Sequence, residues 1–245
     1  MSLTSIIILT LNNFQKTKTC IDSIYRFTGQ PYELIMVDNG STDETLKYLK
    51  KLSDIKLICN KQNKGFAAGC NQGMKIAKGT QILLLNNDTI VSHNWLFNLL
   101  QTLNSDSQVG MVGPLSNMTL PKQLYRVNYA NETEYHDFAL KHNIHDASKW
   151  KPATILSGFC LLFKRKVMEQ IGEMDEQYMI GNYEDADYCY RASRCGFRLL
   201  IAGDTFVHHD GNSTFKDSEL NIISISNENR AKFIKKWGID ANELI

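Results

Sequence analysis

The sequence lacks an excess of charge of either sign. Its 245 residues carry 27 Lys and Arg against 26 Asp and Glu, a net charge of +1. A dedicated nucleic-acid binder usually shows a basic excess, so no nucleic-acid partner is expected. Long apolar runs are also missing. The longest, Phe159–Phe163, has five residues, far short of the roughly 20 that span a bilayer. None of the six cysteines, at 20, 59, 70, 160, 189 and 195, forms a C-x2-C pair, which argues against a zinc site. They fall in apolar segments, where a free thiol packs as a small hydrophobe. They are therefore read as reduced and structural, which suits the cytosol. No basic n-region followed by an apolar stretch and cleavage site is visible. Without such a leader the sequons at Asn39, Asn87, Asn117, Asn131 and Asn212 carry no weight.

Common site signatures are absent as well. There is no G-x-x-x-x-G-K-[ST] loop and no G-x-S-x-G elbow. Gly65, Gly69 and Gly73 are spaced by four, a spacing that suits close helix packing and not a dinucleotide fingerprint. Asp38-Asn39-Gly40 opens like a calcium loop, but the twelfth position is Leu49 where a Glu is needed.

What is present is an ordinary globular composition, 43% hydrophobic and 22% charged. A chain of this length buries roughly 70–75% of its unfolded surface, ample for a core. Short β-branched runs at Ser5–Leu9, Glu33–Val37, Ile55–Cys59 and Gln81–Leu85 read as buried strands. Between them lie helical stripes: Cys20, Ile21, Ile24 and Phe27; Leu46, Leu49 and Leu52; Phe66, Cys70, Met74 and Ala77. A fourth follows at Trp95, Leu96, Leu99, Leu100 and Leu103. Strand–helix alternation predicts an α/β fold, with a mostly parallel sheet covered on both faces. Residues 116–151 show no clear period, and the expectation is a long loop with His136, His142 and His145 in solvent. Ala153–Phe163 reads as one strand, Glu184–Cys195 as a helix ended by Gly196, and Phe197–Ile201 and Thr205–His208 as short strands. Ile222–Trp237 reads as a last helix with basic residues in its final turns.

In open parallel sheets ligands bind beyond the carboxyl ends of the strands. Thr10-Leu11-Asn12-Asn13, Asp38 to Asp43, Asn60 to Gly65 and Asn86-Asn87-Asp88 all fall at such ends. Turn chemistry alone supplies many of these residues, but their repetition on one edge marks a site.

Seven motifs in order carry a resemblance. They are Thr10–Asn13, Val37–Asp43, Asn63–Asn71, Asn86–Asp88, Gly158 before Lys164-Arg165, Glu184–Asp187, and His208–Ser213. Over about residues 4 to 238 the chain resembles family 2 glycosyltransferases with the GT-A fold, in their rhamnosyltransferase-like branch. The resemblance implies one GT-A domain over 1–245, with a nucleotide-binding half to about 115 and an acceptor half after 150. It implies inverting transfer from a UDP- or dTDP-linked sugar to a glycan, lipid-linked or protein acceptor, as in polysaccharide biosynthesis. Asp38 would read the base, since a carboxylate accepts the N3–H of uracil or thymine. Thr10, Asn12, Asn63, Gly65, Asn71, Asn87, Asp88 and Gly158 would line the nucleotide-sugar site. Asp88, with His208, would hold Mg2+ or Mn2+, although Asn86 stands where the metal motif usually has its first acid. Asp185 would be the catalytic base, its charged form favoured by a helix start, with Glu184 beside it. Asp187, about 200° round the helix from Asp185, should not share that role. Asn86 keeps a sugar-nucleotide-binding pseudo-enzyme open as an alternative, and a nucleotidyltransferase is a weaker one. The resemblance places the protein in the cytoplasm. Lys232, Lys235, Lys236 and Trp237 could touch a membrane surface peripherally, though a solvated helix end is the plainer reading.

Overall fold

The computed structural model describes residues 2–211 and 222–245. Asn212 and Ser213, the end of the last motif and the last sequon, lie outside them. Ten strands form: β1 (Thr4–Thr10), β2 (Tyr32–Asp38), β3 (Ile55–Cys59), β4 (Gln81–Asn86), β5 (Thr89–Ile90), β6 (Val109–Leu115), β7 (Lys151–Ala153), β8 (Cys160–Lys164), β9 (Arg198–Phe206) and β10 (His208–His209). Eight of them make one sheet in the order β3-β2-β1-β4-β8-β6-β9-β7, and β5 with β10 makes a separate antiparallel ribbon. The β3-β2, β2-β1, β1-β4 and β6-β9 pairs are parallel. The β4-β8, β8-β6 and β9-β7 pairs are antiparallel.

Side chains alternate across each strand, so one β-branched run feeds two cores. On one face Ile6, Ile8, Leu34 and Met36 pack with Cys20, Ile21 and Ile24 of α1 (Phe14–Phe27) and with Leu96, Leu99 and Leu103 of α4 (Trp95–Asn104). Leu49 of the short α2 (Thr45–Leu49) joins them. On the other face Ile7, Ile35 and Val37 meet α3 (Phe66–Ile76) through Cys70 and Met74. Val167 of α6 (Arg165–Ile171) and Tyr188 and Cys189 of α7 (Glu184–Arg194) complete that layer. The expected mostly parallel sheet with helices on both faces is therefore found.

Several boundaries differ from expectation. The run 153–163 is two strands. Residues 154–159 leave the sheet because their N–H groups find other acceptors: Ser157 donates to Gln123 Oε1 (2.8 Å) and Gly158 to Asp185 Oδ2 (2.8 Å). The two short strands expected after Gly196 are one strand, β9, followed by β10. Residues 116–151 are not structureless. They hold α5 (Glu132–His142), started by a reciprocal cap in which Asn131 Oδ1 accepts from Glu134 N (3.0 Å) and Glu134 Oε2 from Ala130 N (2.8 Å). Two of its three histidines are packed, while His145 is exposed as expected. His136 is buried between Ser92 Oγ and Glu132, His142 packs on Tyr125 and Phe138, and His145 meets the buried Asp204 at 3.3 Å. Four cysteines are buried as expected, but Cys59 and Cys195 are exposed. The last helix is α8 (Ile222–Trp237). Among the described residues no helix is long and apolar enough to cross a membrane.

Candidate active site

A cleft of about 240 Å³ opens over the carboxyl ends of β1, β2 and β4, where the fold was expected to place it. Asn39, Asn63, Gly65, Asn87 and Asp88 line it from the first half of the chain. Gly158, Asn182, Glu184, Asp185 and His209 line it from the second.

The β2 edge is braced by side-chain amides. Asn39 Nδ2 donates to Asn63 Oδ1 (2.8 Å), and Asn39 Oδ1 accepts from Asn60 Nδ2 (3.0 Å) and Lys64 N (3.1 Å). The 60–65 turn is thus fixed before any ligand arrives, and Gly65 takes the left-handed φ of +88° that starts α3. Asp38 lies beneath and is fully buried. Its Oδ2 accepts from Gly40 N (3.3 Å) and Ser41 N (3.2 Å), while Oδ1 has no partner among the described residues. A buried acceptor left open is costly. Asp38 is not among the residues that line the cleft.

At the β4 end, Asn87 points down. Its Nδ2 donates to the buried hydroxyls of Thr10 (3.2 Å) and Thr17 (2.9 Å), which bond each other. Asp88 lies 3.2 Å from His209 Nε2, and Asn86 Nδ2 is 3.3 Å from the same nitrogen. The His209 Nδ1–H donates to the Met118 carbonyl at 2.8 Å, and the ring stacks on Phe159. Burial pulls the imidazole pKa down, but the Asp88 carboxylate outweighs it and the net shift is upward. A backbone acceptor on Nδ1 is the usual way a ligating histidine is oriented. An oriented imidazole and one carboxylate fit a divalent cation whose other ligands come from phosphate and water. Among the described residues no cluster of three or more His, Cys, Asp or Glu is placed to hold a metal alone.

At the far wall, α7 begins with Glu184 and Asp185. Asp185 Oδ2 accepts from Gly158 N (2.8 Å) and Oδ1 from Ala186 N (2.8 Å). Burial raises its pKa in spite of those N–H groups, against the lowering expected from a helix start. Glu184 is raised well above the carboxylate range by burial and by the charge of Asp185. Its Oε2 has no hydrogen-bond partner among the described residues. A raised carboxylate is a better proton acceptor, so the cleft holds a candidate base and a candidate cation pair together.

A sequence profile described as glycosyl transferase family 2 matches residues 5–172. The chain belongs to that family. The low-salt glycan biosynthesis hexosyltransferase of Haloferax volcanii is 26% identical over 193 residues, which is 73% of this chain and 59% of that one. A UDP-glucose:α-D-GlcNAc-diphosphoundecaprenol β-1,3-glucosyltransferase of Escherichia coli is 38% identical over 90 residues, 36% of each chain. The family 2 chain thus spans less than two thirds of the length of these curated relatives. Among solved structures, a mannosyltransferase from Pyrobaculum calidifontis, in complex with GDP-mannose and Mn2+, superposes with a TM-score of 0.67. It covers 96% of this chain and 64% of that one at 19% identity, which shows the shared GT-A fold.

Within this family 2 glycosyltransferase, some expected site residues lie elsewhere. His208 does not reach Asp88. Neighbours on a strand face opposite ways, so His208 turns to the Tyr129 hydroxyl and to Asp210 (2.9 Å) while His209 takes the cleft. Asn71 is buried and spent on the chain, its Nδ2 on the Met174 carbonyl and its Oδ1 on Met174 N, both 2.9 Å. Thr10 and Asn12 support the site from behind, and Asn12 Oδ1 accepts from Thr42 N (2.8 Å) to join the first two loops. Asp187 faces away from the cleft. It is buried against Arg191 (2.8 Å), Lys236 (2.6 Å) and Trp237 Nε1 (2.8 Å). Lys236 and Trp237 are thus tied to Asp187. Asn39, His209 and the 180–182 wall are the lining residues that sequence reasoning passed over. Parity along β10 was the available signal for His209.

Proposed function

We propose that the chain transfers a sugar, with inversion, from a UDP- or dTDP-linked donor to a glycan acceptor. The observation that carries the reading is the shared cleft: Asp185, a half-buried carboxylate with a raised pKa, lines the same cavity as the Asp88–His209 pair. Asp88 and His209 would hold a divalent cation, Mg2+ or Mn2+, which neutralises the departing diphosphate. Asp185 takes the proton of the acceptor hydroxyl while that oxygen attacks the anomeric carbon from the face opposite the diphosphate. The Gly158 N–H holds Oδ2 in place, leaving its other lone pair for that proton. Asp38 Oδ1 would accept the imide N–H of uracil or thymine. A lipid-linked acceptor is supported by the activity of the Escherichia coli relative, and glycan synthesis by that of the Haloferax one.

The test is turnover. With Mn2+ and UDP- or dTDP-sugars, nucleotide diphosphate release should depend on an added glycan acceptor. Asp185→Asn should lower kcat by about 10²–10⁴-fold, the usual worth of a general base, with donor KM little changed. Parent-like turnover by that variant would remove Asp185 from the role. Donor binding with no turnover over any acceptor would favour a binding module, which the Asn86 substitution also suits.

A further inference from the structure

The wall that carries Asp185 is backbone in an unusual state. Gly181, Asn182 and Tyr183 have φ of 148°, 72° and 76° in succession, directly before Glu184 and Asp185. Two of the three are not glycine, and such conformations persist only where the surroundings over-determine them. The Tyr183 carbonyl takes the first helical bond of α7, from Asp187 N (2.9 Å), while those of Gly181 and Asn182 need other donors. One side chain supplies them. Asn229 of α8 is 1% exposed, and its Nδ2 lies 2.9 Å from the Gly181 carbonyl, 3.2 Å from that of Asn182 and 3.5 Å from that of Tyr178. Its Oδ1 accepts from Lys232 Nζ (3.3 Å), which also donates to the Gln177 carbonyl (3.0 Å). This fixes which end of the amide faces the loop. On the other side the segment abuts the start of α3, where a Cβ on Gly65 would lie 3.2 Å from Ile180 N. Beyond the base, α8 holds α7 a second time through Lys236 and Trp237 on Asp187.

We propose that Asn229 is a positioning residue for catalysis, holding the 178–182 carbonyls so that α7 presents Asp185 to the cleft. The inference rests on the reading of Asp185 as base. Asn229 does not itself line the cleft and its bonds to the wall go to backbone carbonyls, so it acts by fixing where the wall and the carboxylate stand.

The experiment uses the full chain with Asn229→Ala, and with Asn229→Ser should the alanine variant not fold. Arg230→Ala, which changes the neighbour of Asn229 on α8 and breaks the Arg230 ion pair with Asp240, is the control. Amide hydrogen exchange over 178–184 should accelerate in the Asn229 variant and not in the control. Turnover should fall by about 10–100-fold, the scale of a misplacement of about 1 Å, with donor KM nearly unchanged. On an Asp185→Asn background the same substitution should cost kcat little more, because the two residues act as one unit. Unchanged exchange would overturn the tether. Faster exchange with parent-like kcat, or an equal loss of kcat on both backgrounds, would overturn the positioning role. If instead Asp185→Asn alone turns over like the parent, the base assignment fails, and the exchange result still judges the tether separately.

Discussion

A buried carboxyl with an oxygen that finds no hydrogen-bond partner costs folding free energy for as long as it is charged. Glu184 is such a group, and the sign of its pH dependence follows. Its folded pKa lies above the unfolded value of about 4.3, so the folded state binds the proton more tightly. The penalty is absent below about pH 4, grows as pH rises through the folded pKa and is complete above it. Glu184→Gln is neutral at every pH. The variant should have a higher urea midpoint than the parent at pH 7, and the gap should close toward pH 4. Equal midpoints at pH 7 would mean that Glu184 is not held as a desolvated charge. At this scale the acids were legible because motif order places them at strand ends and a helix start. His209 and Asn71 were not, because strand parity and helix rotation decide where a side chain points, and a motif does not encode them. The burial of Asp187 was equally hidden. Its partners Lys236 and Trp237 stand about fifty residues away in sequence.

Elements tell a similar story. The Gly65, Gly69, Gly73 spacing was read as close packing, and α3 does lie directly on β1. A Cβ on Gly73 would sit 2.4 Å from Ile7 Cγ2, within a fully packed core. Ile7 is β-branched and stiff at χ1, so it cannot swing clear cheaply. Alanine gains up to about 1 kcal/mol of helix propensity over glycine, but overpacking typically costs about 1–3 kcal/mol. Gly73→Ala should therefore lower stability by a net of about 1–2 kcal/mol in chemical denaturation. Gly29, whose Cβ would meet nothing within 4 Å, is the control, and Gly29→Ala should stay within about 0.5 kcal/mol. An equal loss at both would mean that crowding at α3 does not set the effect. The parallel strands were legible because buried strands read as continuous apolar runs. β6 was not, with Gly110, Gly113 and Pro114 breaking its pattern. α5 could have been found from Asn131-x-x-Glu134, a capping signal inside a stretch otherwise without period.

The molecule as a whole brings position 88 against position 209 and position 158 against position 185, so a donor in the cleft would contact chain from both ends of the sequence. Binding to such a site stabilises the entire fold. A ligand at about 100 times its Kd adds about 2.7 kcal/mol, and in a chain this long each kcal/mol moves Tm by about 2–4 °C. UDP or dTDP with Mn2+ should therefore raise Tm by roughly 5–10 °C. Two contrasts separate the parts of the site. CDP presents cytosine N3, an acceptor, to the open Asp38 Oδ1 with no proton between them, so it should shift Tm far less. Asp88→Ala should lose the Mn2+-dependent part of the UDP shift and keep the metal-independent part, since Asp38 and the 60–65 turn remain intact. A CDP shift equal to that of UDP would remove Asp38 as the base reader. Undiminished Mn2+ dependence in Asp88→Ala would put the cation elsewhere. No shift with any nucleotide diphosphate would take the donor out of the cleft altogether, since a ligand that binds only the folded state cannot leave Tm where it was.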